Sequence, residues 1–196
     1  MHRRGTGRFG VVLLIIVVAI VMIGGIVFLG QLIFGGGGQN AATQTNDNSL
    51  LTQPTDNTVV EMTVRGPVVA RESHYDIDMT ISRDKRTIVI YRGYNRDEEF
   101  KRIELDNDQG AFNDLLLALN DSGYTTSVES STEKNDGLCS SGQLIDFILR
   151  DGDNVKSDLW TTSCGGAGNF AGQSSAVINL LLNQIPDSRD AIKAVK

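Results

Sequence analysis

The chain of 196 residues has no acidic residue before Asp47, one histidine after residue 2 and only two cysteines. Each scarcity excludes something. A nucleophile needs a base beside it, and His74 is the one imidazole available beyond the N-terminus. Ser73, Asp76 and Asp78 stand near it in sequence, but no G-x-S-x-G elbow is present, and on the polar face of an alternating strand His74 is expected at the surface. Cys139 and Cys164 form no C-x-x-C pair, which argues against a redox dithiol. Gly165-Gly166-Ala167-Gly168 matches neither G-x-G-x-x-G nor the P-loop, so the usual phosphate cradles are missing. Asp76 with Asp78 lacks further oxygen ligands at loop spacing. Asp106-Asn107-Asp108 and Asp151-Gly152-Asp153-Asn154 both fail the calcium-loop pattern and read better as a helix cap and a turn. No catalytic residue, cofactor or metal ligand is expected.

Charge is also absent from 11–34, where Gln31 is the only strongly polar residue. As a helix this run spans roughly 36 Å, enough to cross a hydrocarbon core of about 30 Å. Its β-branched first half can satisfy its backbone in lipid only as a helix. Arg3, Arg4 and Arg8 flank it on one side, and the uncharged stretch 35–46 on the other. The positive-inside bias expects residues 1–10 in the cytoplasm, a single-pass transmembrane helix at 11–34 and the rest of the chain outside the cell. A cleaved signal peptide fits less well, because the run is too long and no A-x-A site follows it. A type IV pilin stem would carry a glutamate early in the helix, and none is present.

Of the 18 basic residues three precede the run, which leaves 15 against 24 acidic ones, a net of −9 for the remainder. An acidic domain repels phosphate backbones, so nucleic acid is not an expected partner. Residues 35–57 open on four glycines and are rich in Gly, Gln, Asn and Thr. With only Leu50 and Leu51 of substantial apolar size, the segment is expected to be a flexible linker spanning roughly 25–30 Å.

From Val59 the pattern turns to period two. Val60, Met62 and Val64 alternate with Glu61, Thr63 and Arg65 up to Gly66-Pro67, and Tyr75, Ile77, Met79 and Ile81 alternate with polar neighbours. A turn at Asp84-Lys85 would set Ile81 opposite Ile88 and Met79 opposite Ile90 on one face. Residues 100–105 suggest a fourth strand. Phe112, Leu115, Leu116 and Leu119 then fall on one helical stripe, with Asn107 or Asp108 as cap and Gly123 past the end. Residues 124–137 read as a loop. Strands at 144–149 and 155–160 flank Asp151-Gly152-Asp153, a hairpin that pairs Leu149 with Val155, Phe147 with Ser157 and Ile145 with Leu159. A last helix carries Val177, Leu180, Leu181 and Ile185, with Ser174 or Ser175 as cap and Pro186 as stop. The expected fold is α+β: an antiparallel sheet with helices on one face, spanning 58–188, then a tail at 189–196 that adds a helical turn or two.

Cys139 and Cys164 bracket the hairpin on the side of the chain where oxidation is permitted. A two-residue Asp151-Gly152 turn places them opposite each other, and one β-bulge reconciles that register with the hydrophobic one. A disulfide is expected, worth about 3 kcal/mol in the chain-entropy model. The Gly165, Gly166 and Gly168 return, with Trp160 and Phe170, is the candidate contact surface, although Trp160 can equally serve the core.

The run Met62-Thr63-Val64-Arg65-Gly66-Pro67-Val68-Val69-Ala70, with Gly93-Tyr94, Cys139 and Leu159-Trp160-Thr161-Thr162-Ser163-Cys164, resembles uncharacterised membrane-anchored proteins of small-genome candidate-phylum bacteria. The likeness spans about residues 10–186 and implies a bacterial envelope setting without an activity. More distantly, the element order is similar to emfourin-type metallopeptidase inhibitors, whose Gly-Gly-rich first turn is echoed here only by Arg65-Gly66-Pro67. The expected role is a non-enzymatic, membrane-anchored module binding a protein, peptide or cell-wall ligand. The alternatives are a tethered peptidase inhibitor and an envelope hydrolase using His74 with Asp76 or Asp78.

Overall fold

The computed structural model describes residues 45–46, 48–96, 98–130, 132–134 and 137–195. The basic flank, the apolar run at 11–34 and residues 35–44 lie outside them. Among the described residues no helix is long and apolar enough to cross a membrane.

The strands are β1 (Thr45–Asn46), β2 (Thr58–Arg65), β3 (Tyr75–Ser82), β4 (Lys85–Arg92), β5 (Glu98–Asp106), β6 (Thr126–Ser127), β7 (Leu144–Asp151) and β8 (Asn154–Thr162). The helices are α1 (Ser49–Thr52), α2 (Gln109–Asp121), α3 (Ser174–Leu182) and α4 (Ser188–Val195). Six strands form one antiparallel sheet in the order β5-β4-β3-β2-β7-β8, and β1 pairs with β6. The domain is α+β. A meander of β2 to β5 leads into α2, and the β7–β8 hairpin joins the other side of β2.

Period-two alternation sorts the sheet into two faces. Val60, Met62, Val64, Ile77, Met79, Ile81, Ile88, Ile90, Ile145, Phe147 and Leu149 are buried in one cluster with Phe112, Leu115, Leu116 and Leu119 of α2 and with Val177 and Leu181 of α3. Those four α2 residues are the stripe expected from spacing. Asp108 caps the helix, its side chain accepting from Ala111 N at 2.9 Å. Tyr124 is fully buried among them, and burial pushes its phenol well above the ordinary value. Its hydroxyl proton is shared between Glu61 O at 2.7 Å and Ile148 O at 2.9 Å. One side chain thus clamps the seam where the hairpin joins the meander.

Several expectations are corrected. Of the flexible linker expected at 35–57, residues 48–57 are ordered: Leu50 and Leu51 are buried in the core, and Asn48 Nδ2 donates to Asn120 Oδ1 at 2.8 Å. Two adjacent leucines on one helical turn bury enough surface to dock against α2 despite their polar surroundings. The tail at 189–196 does add the expected helical turns, as α4, and the helix is packed through buried Val195. The segment 124–137 includes β6 and buried Tyr124 and Thr125. Gln173 occupies the start of α3 without a side-chain cap bond, where a serine was expected.

Two registers shift. Met79 pairs with Ile88 and Ile77 with Ile90, so the β3–β4 turn is centred on Arg83-Asp84. An even shift keeps every side chain on its face. At β7–β8, Asp151 pairs with Asn154 around Gly152-Asp153, and a bulge at Leu149/Arg150 gives Leu149↔Ser157 and Phe147↔Leu159. The expected bulge is present, in a different register.

The Cys139–Cys164 disulfide is formed, with a Cα–Cα distance of 5.7 Å. It lies beyond the paired strands, where a turn with Gly142 N donating to Cys139 O at 3.0 Å brings Cys139 back toward β8. A Cβ on Gly142 would lie 2.5 Å from Cys139 Sγ and 2.4 Å from Ser163 Oγ, so only glycine leaves room for the bridge.

Candidate functional site

The second sheet face carries charge. Directly opposed residues make one row across four strands, Tyr91 on β4, Asp76 on β3, Arg65 on β2 and Leu144 on β7. The next row holds Val89, Asp78, Thr63, Asp146 and Trp160. Asp146 is buried between two cations, Arg65 at 3.3 Å and the Lys134 ammonium. Removing either partner from such a buried pair is costly, because the remaining charge stays desolvated.

Loops fold over the first row and leave a cavity of about 450 Å³ lined by Arg65, Gly66, Val68, His74, Asp76, Tyr94, Asn95, Arg96, Cys139 and Leu144. One wall is the 66–70 segment. Gly66 N donates to Tyr75 O at 2.8 Å, and a Cβ there would lie 2.4 Å from that oxygen, so glycine is required. Val68 N donates to Ser140 O at 2.8 Å, which ties this wall to the disulfide loop. Tyr94 Oη accepts from Val69 N at 3.0 Å and donates to Val69 O at 2.6 Å. Ala70 O accepts from Ser73 N and His74 N at 2.9 and 3.0 Å.

His74 was expected at the surface. It is 5 % exposed, because the Tyr94 ring stacks on it at 3.9 Å and the 66–70 loop closes over it. Its Nδ1 lies 2.8 Å from Pro67 O. A carbonyl only accepts, so Nδ1 is the donor. Nε2 then faces Asp76 Oδ1 at 3.2 Å, a contact that is favourable only with a proton between the two. The contact is not an aligned hydrogen bond: Oδ1 is buried and accepts none from a described residue. Desolvation holds the Asp76 carboxyl above its ordinary value, against the opposing pull of His74, a Gly66 backbone hydrogen bond and Arg96.

Across the cavity, Asn95 and Arg96 are consecutive non-glycine residues in the left-handed region, at φ of 61° and 58°. Holding such residues there costs about 1–3 kcal/mol each, and cavities are where that strain accumulates. Arg96 Nη2 donates to Asp78 Oδ1 at 2.7 Å. Asp78 and Asp76 do share a side of β3, as their spacing implied, but Asp78 is engaged by Arg96 and by Thr63 Oγ1 at 3.1 Å. Among the described residues no group of three or more metal-ligating side chains converges.

The candidate contact surface of Trp160, Gly165, Gly166, Gly168 and Phe170 is divided by the sheet. Trp160 pairs with Asp146 on the charged face and is 6 % exposed. Phe170 packs on Phe147, on the core side, with ring centroids 4.6 Å apart. Gly165 and Gly166 are exposed, and Gly168 bridges to Thr161. Asn169 lies along β8, its Oδ1 accepting from Trp160 N at 2.7 Å, so this loop covers part of the edge strand. The cavity itself was missed. Its one sequence signal was His74 at even spacing from Asp76, and its other walls come from the 66–70 and 94–96 loops.

No protein-family model matches the chain, and no curated protein does.

Proposed function

We propose that the chain is a non-enzymatic binding module displayed at a bacterial cell surface, anchored in the lipid bilayer by a transmembrane helix at 11–34. The apolar length and basic flank support the anchor, with the N-terminus cytoplasmic and the domain outside. The disulfide supports an oxidising exterior. The observation that carries binding over catalysis is the placement of the His74 ring: Nδ1 is held by Pro67 O, and Nε2 faces the Asp76 carboxyl and not a hydroxyl or thiol. A general base needs a free nitrogen aimed at a nucleophile, and this imidazole is a wall of a formed cavity instead. The partner is a protein, a peptide or a cell-wall component; no cofactor and no nucleic acid takes part.

Capture from an envelope fraction on the full chain in detergent micelles tests this. The reading expects one reproducible partner that is lost when Arg96→Ala is the bait. Turnover of an envelope substrate that survives purification and disappears in His74→Ala would overturn it.

A tethered peptidase inhibitor is the second reading, and one feature favours it. Val68 and Val69 are 53 % and 41 % exposed, while the backbone from Gly66 to Ala70 is hydrogen-bonded on its inner side. A rigid loop presenting small aliphatic side chains loses little entropy on entering an endopeptidase cleft. Inhibition of a secreted peptidase by the full chain, abolished by Val68→Asp with Val69→Asp, would select this reading.

A further inference from the structure

The cavity has two unlike poles, and a ligand that fits it must match both. At one pole Arg96 gives a single N–H to Asp78, among the described residues, while its side chain is 45 % exposed. A guanidinium carries five donors in a planar fork that suits a carboxylate. At the other pole Asp76 lines the cavity, its Oδ1 buried 3.2 Å from His74 Nε2 and without an aligned donor, which an N–H group would supply by displacing that contact. A dianion such as phosphate would face that carboxylate and be repelled. Val68, Leu144 and Cys139 add apolar lining to the same cavity. A volume of about 450 Å³ suits a molecule of dipeptide size and is too small for a folded segment. The left-handed Asn95-Arg96 pair holds the guanidinium on the cavity wall before anything binds.

We infer that this cavity binds a small zwitterion of the dipeptide class, its carboxylate on Arg96 and its ammonium on Asp76. The inference rests on the binding-module reading and narrows its ligand. The His74–Asp76 contact gives way to the incoming N–H.

The test is calorimetric titration of the full chain in detergent micelles with alanyl-alanine, in L,L and D,D forms. Its C-terminal amide, its N-acetyl derivative and inorganic phosphate serve as comparison probes. Because the ligand is varied on the unaltered protein, misfolding does not enter. One alanyl-alanine form is expected to bind, with affinity reduced by at least about tenfold on amidation and on N-acetylation. Arg96→Gln is expected to bring acid and amide to equal affinity, and Asp76→Asn to do the same for free and acetylated amine. Equal binding of the amide by the unaltered chain, phosphate binding as tightly as dipeptide, or no binding up to about 10 mM would each overturn the inference. If a captured macromolecular partner persists while the dipeptide fails, the ligand assignment alone falls. If both fail, the binding module falls with it.

Discussion

The two faces of the sheet are built from the same alternating strands and reach burial by different routes. On the core face Val60, Met62, Ile81, Ile88, Ile90 and Phe147 are excluded from water by helices whose own stripes are apolar. On the far face His74, Asp76 and Asp146 are buried by loops, and each needs a partner of opposite character to remain there. Burial of apolar area stabilises without regard to direction. Burial of charge stabilises only with correct geometry, and leaves a residue of unsatisfied groups where geometry falls short. The core face therefore provides stability, and the far face carries the candidate site.

Substitutions can break that contrast at graded strength. Phe147→Ala removes a fully buried ring from the core and should cost about 3–5 kcal/mol, read in a urea titration by the fluorescence of the single tryptophan, Trp160. Reduction of Cys139–Cys164 should cost about 3 kcal/mol. Because Ser140 holds Val68, hydrogen exchange should accelerate at 66–74 while amides of α2 keep their relative protection. Equal acceleration in α2 would mean that the faces are not independent. Tyr124→Phe leaves Glu61 O and Ile148 O without their shared donor, at about 1–2 kcal/mol in the same titration.

The smallest effect concerns pH. Burial raises the Asp76 carboxyl above 3.8, so the folded state holds its proton more tightly than the unfolded chain. That contribution is fully present below 3.8 and is lost as pH rises through the folded value. Asp76→Asn has no such loss, and its melting temperature relative to the parent should rise from about pH 4 upward. A difference that is flat with pH would show that Asp76 is not desolvated.

The legible parts of the molecule were those whose signal is local. The stripe Phe112, Leu115, Leu116 and Leu119 is the set that α2 buries, and the alternation at 75–82 is β3. The cysteine pairing was legible too, although the turn through Gly142 that brings it about was not. The β3–β4 register escaped because a shift of two residues leaves the hydrophobic pattern unchanged. Leu50 and Leu51 escaped because two leucines among polar residues make no period, yet they find a groove beside α2. His74 was misread as a surface residue for a related reason. What buries it are the ring of Tyr94 and the backbone of Pro67, each brought there by a loop with no periodicity. Contacts made by loops lie outside what spacing can report.

The claim on which the rest depends is an oxidised domain held outside the cell by its apolar helix. Intact cells carrying the full chain, treated with a membrane-impermeant maleimide before and after an impermeant reductant, test it directly. The account predicts no labelling at first, then labelling of both Cys139 and Cys164 once the bridge is opened. Labelling without reductant, or labelling only after the cells are broken, would contradict it.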